Sequence, residues 1–462
     1  MKKIFETDWL ASQPIFYNEL TGKVSENIND VIDFQNFDFH PEGLNNYLDF
    51  GYSILEQTPI KHVKFLRHSS KLLINDNGKI EVQYLDDPVE KWIGKTVKEN
   101  DVFHLLYQSV RNWEESVEGE IVIPTSGGYD SRLLNFLVSN KSRIRSFTYG
   151  ISDNQLKSVE VVYAKKLSEI LGTRWEAIQL GEFHSYFRQW NELFGISTHA
   201  HGMYHIEFYH QMISKLKGNN PFLSGIGGDW WSGLVPYQDK IVHPKDLYKI
   251  AYTHNLHATS EASLLKSKQE LLHTYYESQR EQLQEWNFQI LLMARMKIIL
   301  ISYLIKVPKI LFGFNTWAPL LEPEIALSIL GLSPERRRNR LWQKDFFQQH
   351  GLNLESKKLY FSRYNTLNYQ AMERIPLKPL DVDLLRQIIK PAYVQWINNQ
   401  ITQQKFFDKF LSKMYQTPKI GGALWRLGIR DRRLTAYAAY LTLKPLENLL
   451  KIKEMSESDR YA

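Results

Sequence analysis

The chain has 462 residues, of which 43% are hydrophobic and 23% charged, a balance that excludes an intrinsically disordered protein and gives room for about two to four domains. It contains no cysteine, which excludes disulfide scaffolds, thiolate metal sites, iron–sulfur clusters and any cysteine nucleophile. Lys and Arg number 57 against 51 Asp and Glu, a net charge of +6 that is mild for a chain of this length and points to no nucleic-acid partner.

Taken in chain order, the opening Met1-Lys2-Lys3-Ile4-Phe5-Glu6-Thr7-Asp8 brings an acid too early for the apolar stretch of a signal peptide, so a cytoplasmic location is expected. Residues 1–95 read as β-rich. Within them the runs 71–74 and 80–84, separated by Asn75-Asp76-Asn77-Gly78, predict a hairpin. Val102, Leu105, Leu106, Val110 and Trp113 recur at helical spacing and predict a helix over 97–113.

Ile121-Val122-Ile123 then has the continuous apolar character of a buried parallel strand. A helix through Leu133, Leu134, Leu137 and Val138 follows, then a strand over 144–149. Val159, Val162, Tyr163, Leu167, Ile170 and Leu171 form a helix face that Gly172 should cap. Strands over 175–180 and at Phe222-Leu223, with a helix over 206–216 between them, complete an alternation that predicts an α/β fold with a doubly wound, mainly parallel sheet.

Beyond Pro244 the pattern is helical, with a C-terminal extension over 381–462. The apolar run through Ile298, Ile299, Leu300, Ile301, Tyr303, Leu304 and Ile305 lies between Lys297 and Lys306. It falls short of the ~18 apolar residues of a membrane span and predicts a buried helix. Arg336, Arg337, Arg338 and Arg340 form the densest basic stretch, read as a solvated helix start or as a polyphosphate or nucleic-acid contact. The polar tail, residues 454–462, is expected to fray. Aromatic residues reach 13%, enough both for core packing and for lining a pocket.

Two motifs carry chemistry. Thr125-Ser126-Gly127-Gly128-Tyr129-Asp130-Ser131 lies where a buried strand turns into a helix. Glycines there let the backbone approach a ligand, N–H groups converge, and the helix N-terminus favours an anion. Asp130 suits a phosphate only if a cation bridges the two. Leu223-Ser224-Gly225-Ile226-Gly227-Gly228-Asp229 repeats the arrangement after a second short strand, again with one carboxylate. Two such turns at the carboxyl ends of sheet strands can hold a polyphosphate through a shared magnesium ion.

These residues resemble the synthetase domain of the asparagine synthetase-like enzymes, a PP-loop ATP-pyrophosphatase group of the adenine nucleotide alpha hydrolase-like fold. Ser126 to Ser131 match its Ser-Gly-Gly-x-Asp-Ser motif, and Gly225 to Asp229 its second glycine-rich motif. The resemblance implies ATP and Mg2+ as cofactors, with Asp130 and Asp229 as metal ligands. Ser126, Gly127, Gly128 and Ser131 would hold pyrophosphate, and Gly227 belongs to the second nucleotide-binding turn. Thr125, Tyr149 and Gly225 stand where the family contacts adenosine. Glu160, Ala164, Leu167 and Gly172 fall as in the family's next helix.

The segment Leu341-Trp342-Gln343-Lys344-Asp345-Phe346-Phe347 resembles the one whose lysine binds pyrophosphate. This match makes Lys344 the catalytic cation, with a solvated helix lysine as the other reading. Trp317-Ala318-Pro319-Leu320-Leu321-Glu322-Pro323-Glu324 resembles a further family segment that ends in Pro-Phe-Leu-Asp. The implied reaction is adenylation of a carboxylate, with release of pyrophosphate, followed by amine attack to give an amide and AMP.

The same resemblance divides the chain into a shortened glutaminase-like remnant (1–95), the PP-loop domain (96–380) and the helical extension (381–462). Gln13-Pro14-Ile15-Phe16-Tyr17-Asn18 resembles the middle of the glutaminase domain, yet the family's N-terminal cysteine nucleophile is absent. The expected partners are therefore a small-molecule, glycan or peptide carboxylate and a separate source of ammonia or amine, with the oligomeric state open. Ile226 and Trp230 stand where asparagine synthetases carry acids. That departure leaves a catalytically silent nucleotide-binding homologue or partner subunit as the alternative. Trp230 and Trp231 read either as a nucleotide cover or acceptor wall or as core. The cluster His199, His201, His205, His210 and Glu207 reads either as a metal site or as capping, packing or general-base histidines.

Overall fold

Alternating apolar positions in the first part of the chain build two small antiparallel sheets. The computed structural model describes residues 3–75, 78–92, 94–234, 241–251, 257–402, 406–417 and 419–458. The chain opens with β1 (Lys3–Thr7), β2 (Phe16–Asn18), β3 (Val24–Ser25), helix α1 (Pro41–Phe50), β4 (Val63–Phe65), β5 (Ser70–Ile74) and β6 (Ile80–Tyr84). The sheets run in the orders β1-β5-β6 and β3-β2-β4. The expected hairpin is β5 with β6, in the register Leu72 to Val82 and Ile74 to Ile80; Asp76 and Asn77 of its turn lie outside the described residues.

This segment is not purely β. Pro41 starts α1, where its missing N–H costs nothing, and Gly51 closes the helix in the left-handed region at φ +82°. Within α1 the buried Glu42 carboxylate accepts the N–H groups of Leu271 and Leu272, each at 3.1 Å. It thus serves as a cap for a helix far along the chain.

A mixed α/β arrangement with a parallel sheet follows. Its elements are α2 (Glu99–Ser116), β7 (Ile121–Pro124), α3 (Tyr129–Leu137), β8 (Ile144–Tyr149), α4 (Val159–Leu171), β9 (Arg174–Ile178), α5 (Tyr204–Ile213), β10 (Pro221–Leu223), the short helix α6 (Gly228–Trp231) and β11 (Asn315–Trp317). Five strands lie in the order β11-β10-β7-β8-β9, and every neighbouring pair is parallel. Ile121, Val122 and Ile123 are fully buried, as their unbroken apolar run requires. Gly172 caps α4 at φ +67°.

The chain runs outward from β7 through β8 to β9, then returns to place β10 on the other side of β7. This reversal of strand order opens a crevice at the carboxyl edge of the sheet. The edge strand β11 has no counterpart in the sequence reading. Asn315-Thr316-Trp317 shows no apolar run; it is a strand because it pairs with β10, and Trp317 stacks on Trp113 with ring centroids 5.2 Å apart.

The apolar run expected as one buried helix is instead two pieces, Ile298–Ile301 and Tyr303–Lys306, followed by a π turn at Val307–Leu311. Ser302 sits at the break with its hydroxyl bonded back to the Ile299 carbonyl at 2.9 Å, and Pro308 supplies no N–H to continue a regular helix. Among the described residues no helix is long and apolar enough to cross a membrane.

After β11 come α7 (Pro323–Leu330), α8 (Leu341–Gln349) and the long α9 (Arg432–Ser458). Residues 454–458 continue α9 as helix rather than fraying, and the last four residues of the tail lie outside the described part. This helix packs back on distant elements. The Tyr47 hydroxyl donates to the Thr442 carbonyl at 3.0 Å, and Tyr437 shares a 2.8 Å hydrogen bond with His184 Nε2.

Arg132 in α3 has its side chain wholly buried. It donates to the carbonyls of Gly127 (2.9 Å) and Leu352 (3.0 Å) and forms a two-pronged pair with Glu355 at 3.0 and 2.8 Å. Arg132→Met would leave these buried carbonyls without donors. We expect it to lower the unfolding free energy by about 1–3 kcal/mol in urea denaturation.

Candidate active site

The first glycine-rich turn leaves β7 and enters α3. Gly127 adopts φ +67° and lies so close to α4 that a Cβ would come within 2.7 Å of the Ala164 nitrogen. Only glycine meets both demands. The Thr125 hydroxyl is engaged within the sheet, donating to the Ile123 carbonyl and accepting from Asn135 Nδ2, both at 2.9 Å. The Ser126 hydroxyl accepts the Gly128 N–H at 3.2 Å and lies 3.4 Å from that of Ser131. No side chain caps α3, so its first turn keeps its partial positive charge for whatever enters the crevice.

The second turn leaves β10 beside it. Gly227 adopts φ +87°, and a Cβ on Gly228 would collide with the Asp130 carboxylate. Asp130 therefore packs directly on the backbone of the second turn. Trp231 is core: its side chain is fully buried, its Nε1 donates to the Leu320 carbonyl at 2.8 Å, and its ring lies 5.7 Å from that of Trp9. Trp230 packs edge-on against it and does not line the crevice.

Between the two aspartates stands Arg340. Its guanidinium pairs with the Asp229 carboxylate and lies 3.8 Å from that of Asp130, while Gln343 Nε2 donates to Asp130 Oδ1 at 3.4 Å. Burial pushes the Asp130 carboxyl up to about 7, and the neighbouring Asp229 adds to the rise, whereas Arg340 and Gln343 act in the opposite sense. Asn339 and Arg340 both take left-handed backbone angles, φ +52° and +58°, which turn the arginine inward at the start of α8.

The arginine run is thus not a solvated helix start. Arg336 pairs with Glu99 and with Asp345 at 2.6 Å, Arg337 is buried against the Leu332 carbonyl and Asn287, and Arg340 enters the crevice. Lys344, one turn further along α8, is exposed and is not part of the crevice wall.

The crevice encloses about 590 Å³. Thr125, Ser126, Gly128, Asp130, Ser131, Tyr149, Gly225 and Asp229 all line it, so most residues singled out from the sequence meet at one place. Gly127 and Gly227 stand behind the wall and shape the turns. Arg340, offered by the sequence only as part of a basic run that is either solvated or a polyphosphate or nucleic-acid contact, lines the crevice, as does Glu160, which has no site role in the sequence reading. Glu160 has a buried Oε2 without a partner, and burial raises its carboxyl while Arg363 opposes the rise.

An aromatic wall from α5 completes the crevice. The Tyr149 ring lies 5.0 Å from Phe208 and 5.7 Å from Tyr204, and burial raises the Tyr149 hydroxyl. His205 belongs to this wall; burial lowers it to about 3, with His201 adding to the shift, so the imidazole is neutral at pH 7. The histidines do not assemble a metal site with Glu207, whose carboxylate instead takes the N–H groups of Gly181 and Glu182. His199 Nδ1 accepts the His201 N–H at 3.0 Å as a helix cap. Among the described residues no group of three or more His, Cys, Asp or Glu is placed to hold a metal ion.

Asp130 and Asp229 do suit a magnesium ion of another kind. It needs only one or two carboxylates, with phosphate oxygens and water completing the shell. The facing carboxylates supply hard oxygen donors, and Gly228 leaves the space for Asp130 to take that position.

In comparisons with known proteins, no family model matches the chain and no curated protein shows a significant match to it.

The contrast between the two cations of this region can be measured. If the crevice takes MgATP, as the resemblance implies, Arg340→Ala is expected to weaken its binding by about 10–100-fold, the range for a lost charge-assisted contact. Lys344→Ala should leave the affinity within about twofold, as befits a solvated lysine. Isothermal titration of both variants checks the pair.

Proposed function

We propose that this protein is an ATP-dependent, AMP-forming amide ligase of the PP-loop kind, related to the asparagine synthetase-like enzymes. The observation that carries the reading is the convergence of two glycine-rich turns, each with one aspartate, on a single crevice at the point of strand-order reversal. Neither turn alone would specify a nucleotide; together with Arg340 they supply backbone donors, hydroxyls, two metal-binding carboxylates and a cation.

In this reading the turn over 126–131 holds the pyrophosphate end of ATP, with the uncapped start of α3 supporting its charge. Magnesium, when bound to Asp130 and Asp229, neutralises charge on the phosphates. Arg340 exchanges its carboxylate contacts for the leaving pyrophosphate, where negative charge grows in the transition state. A carboxylate oxygen of the substrate bonds to the α-phosphorus as the bond to pyrophosphate breaks. The aromatic wall of Tyr149, Tyr204 and Phe208 keeps water from the acyl-adenylate. An amine nitrogen then bonds to the acyl carbon, AMP leaves with the electrons of the broken carbon–oxygen bond, and the surplus proton passes to water.

A second reading, a silent nucleotide-binding homologue, draws on Ile226, an apolar residue at a position where the family carries an acid. ATP–pyrophosphate exchange screened over amino-acid, uronic-acid and peptide carboxylates decides between them. Exchange with at least one carboxylate is expected, falling by about 100-fold or more in Asp130→Ala and in Asp229→Ala. Exchange that survives both substitutions overturns the metal-bridged site. Nucleotide binding without exchange across the panel selects the silent homologue.

A further inference from the structure

A second cavity, of about 330 Å³, opens against the nucleotide crevice. The two share Ser224, Ile226 and Leu304, so a thin partition of three residues separates them. The far walls come from the N-terminal segment at Trp9 and from the end of β11, with Phe314 and Trp317 contributing flat apolar surface.

Size argues against ammonia as the occupant. Ammonia is close to a water molecule in volume, whose share of liquid is ~30 Å³, so this space is about ten times what it needs. A cavity of this volume falls at the lower end of the range for small organic ligands. Charge argues for a cation. Asp8 and Glu322 are exposed carboxylates on its rim, and Lys309 is the one basic residue that lines it. Both acids are held in place: Asp8 Oδ1 accepts the N–H groups of Leu10 (2.8 Å) and Ser12 (3.0 Å), and Glu322 Oε1 accepts from Trp317 Nε1 at 3.1 Å. Indole faces beside a net negative rim favour an ammonium group on a flat body.

Ile226 gives the partition its chemistry. An apolar side chain between the cavities disfavours passage of a charged ammonium and admits the neutral, nucleophilic amine.

We propose that this second cavity is the amine subsite of the ligase and that it takes a primary alkylamine joined by a short chain to an aromatic ring, presenting its nitrogen past Ile226 to the activated acyl group. The assignment rests on the ligase reading. The ammonium gives one proton to water at the rim. The free amine bonds to the acyl carbon, the carbon–oxygen bond to AMP breaks, and the second proton follows into solvent.

Titration of the full chain with tyramine, tryptamine and benzylamine, with and without MgATP, tests the site beside the exchange assay, which needs no amine. At least one of the three is expected to bind. Ala318→Trp, which fills the cavity, and Glu322→Gln, which removes a rim charge, should each weaken that binding about tenfold or more while nucleotide affinity stays within about twofold. The isosteric Glu322→Gln keeps the test decisive should the larger substitution fail to fold. No binding by any of the three amines, or binding indifferent to both substitutions, overturns the subsite even where exchange is active. Binding that both substitutions weaken, in a protein without exchange, upholds the subsite and overturns the ligase reading alone.

Discussion

The contact of the Asp130 carboxylate with the bare backbone of Gly228 is the constraint around which the site is arranged. It exists because β10 lies beside β7 in parallel, bringing the turns that leave both strands to the same edge. Any side chain at position 228 would occupy the place of the carboxylate. Burial raises the proton affinity of Asp130, the second acid brought this near adds to the rise, and the pair calls for a cation between them. Arg340 meets that need in the protein alone, and the neighbouring geometry follows from its reach: the pair of left-handed residues that turn it inward, the start of α8, and Gln343 one turn further on.

Much of this was legible in the chain. Helix periodicity marked α2, α4 and α5, and short apolar runs marked β7 and β10, since a buried parallel strand needs apolar side chains on both faces. The glycine-rich turns stood out because left-handed backbone angles and close packing of backbone restrict residue choice severely. What stayed hidden depended on partners. Strand β11 is three residues of unremarkable character that become a strand only beside β10. Arg340 cannot be told from Arg336 by sequence, because the difference lies in which acids, Glu99 or Asp229, the fold brings within reach. The break at Ser302 likewise came from a local hydroxyl–carbonyl bond inside an apolar run that otherwise reads as continuous helix.

The aromatic surplus divides between two tasks. Trp190, Trp231 and Trp342 are fully buried and fill the core. Tyr149, Tyr204, Phe208 and Tyr209 face the crevice, and Trp9 and Trp317 the cavity beside it. The crevice does without thiols: its polar groups are carboxylates, hydroxyls, a guanidinium and backbone N–H groups.

The hydrogen bond from Tyr47 to the Thr442 carbonyl joins residues 395 positions apart. A ribosome adding about 5–20 residues per second needs roughly 20–80 s to cover that span. During this interval the Tyr47 hydroxyl waits for α9, as His184 Nε2 does over the shorter span of 253 residues to Tyr437, and the apolar surface that the helix will cover stays open to other chains. Vectorial synthesis therefore leaves the segment around Tyr47 dependent on a helix made much later, a situation in which chaperone protection of the nascent chain has a definite physical object.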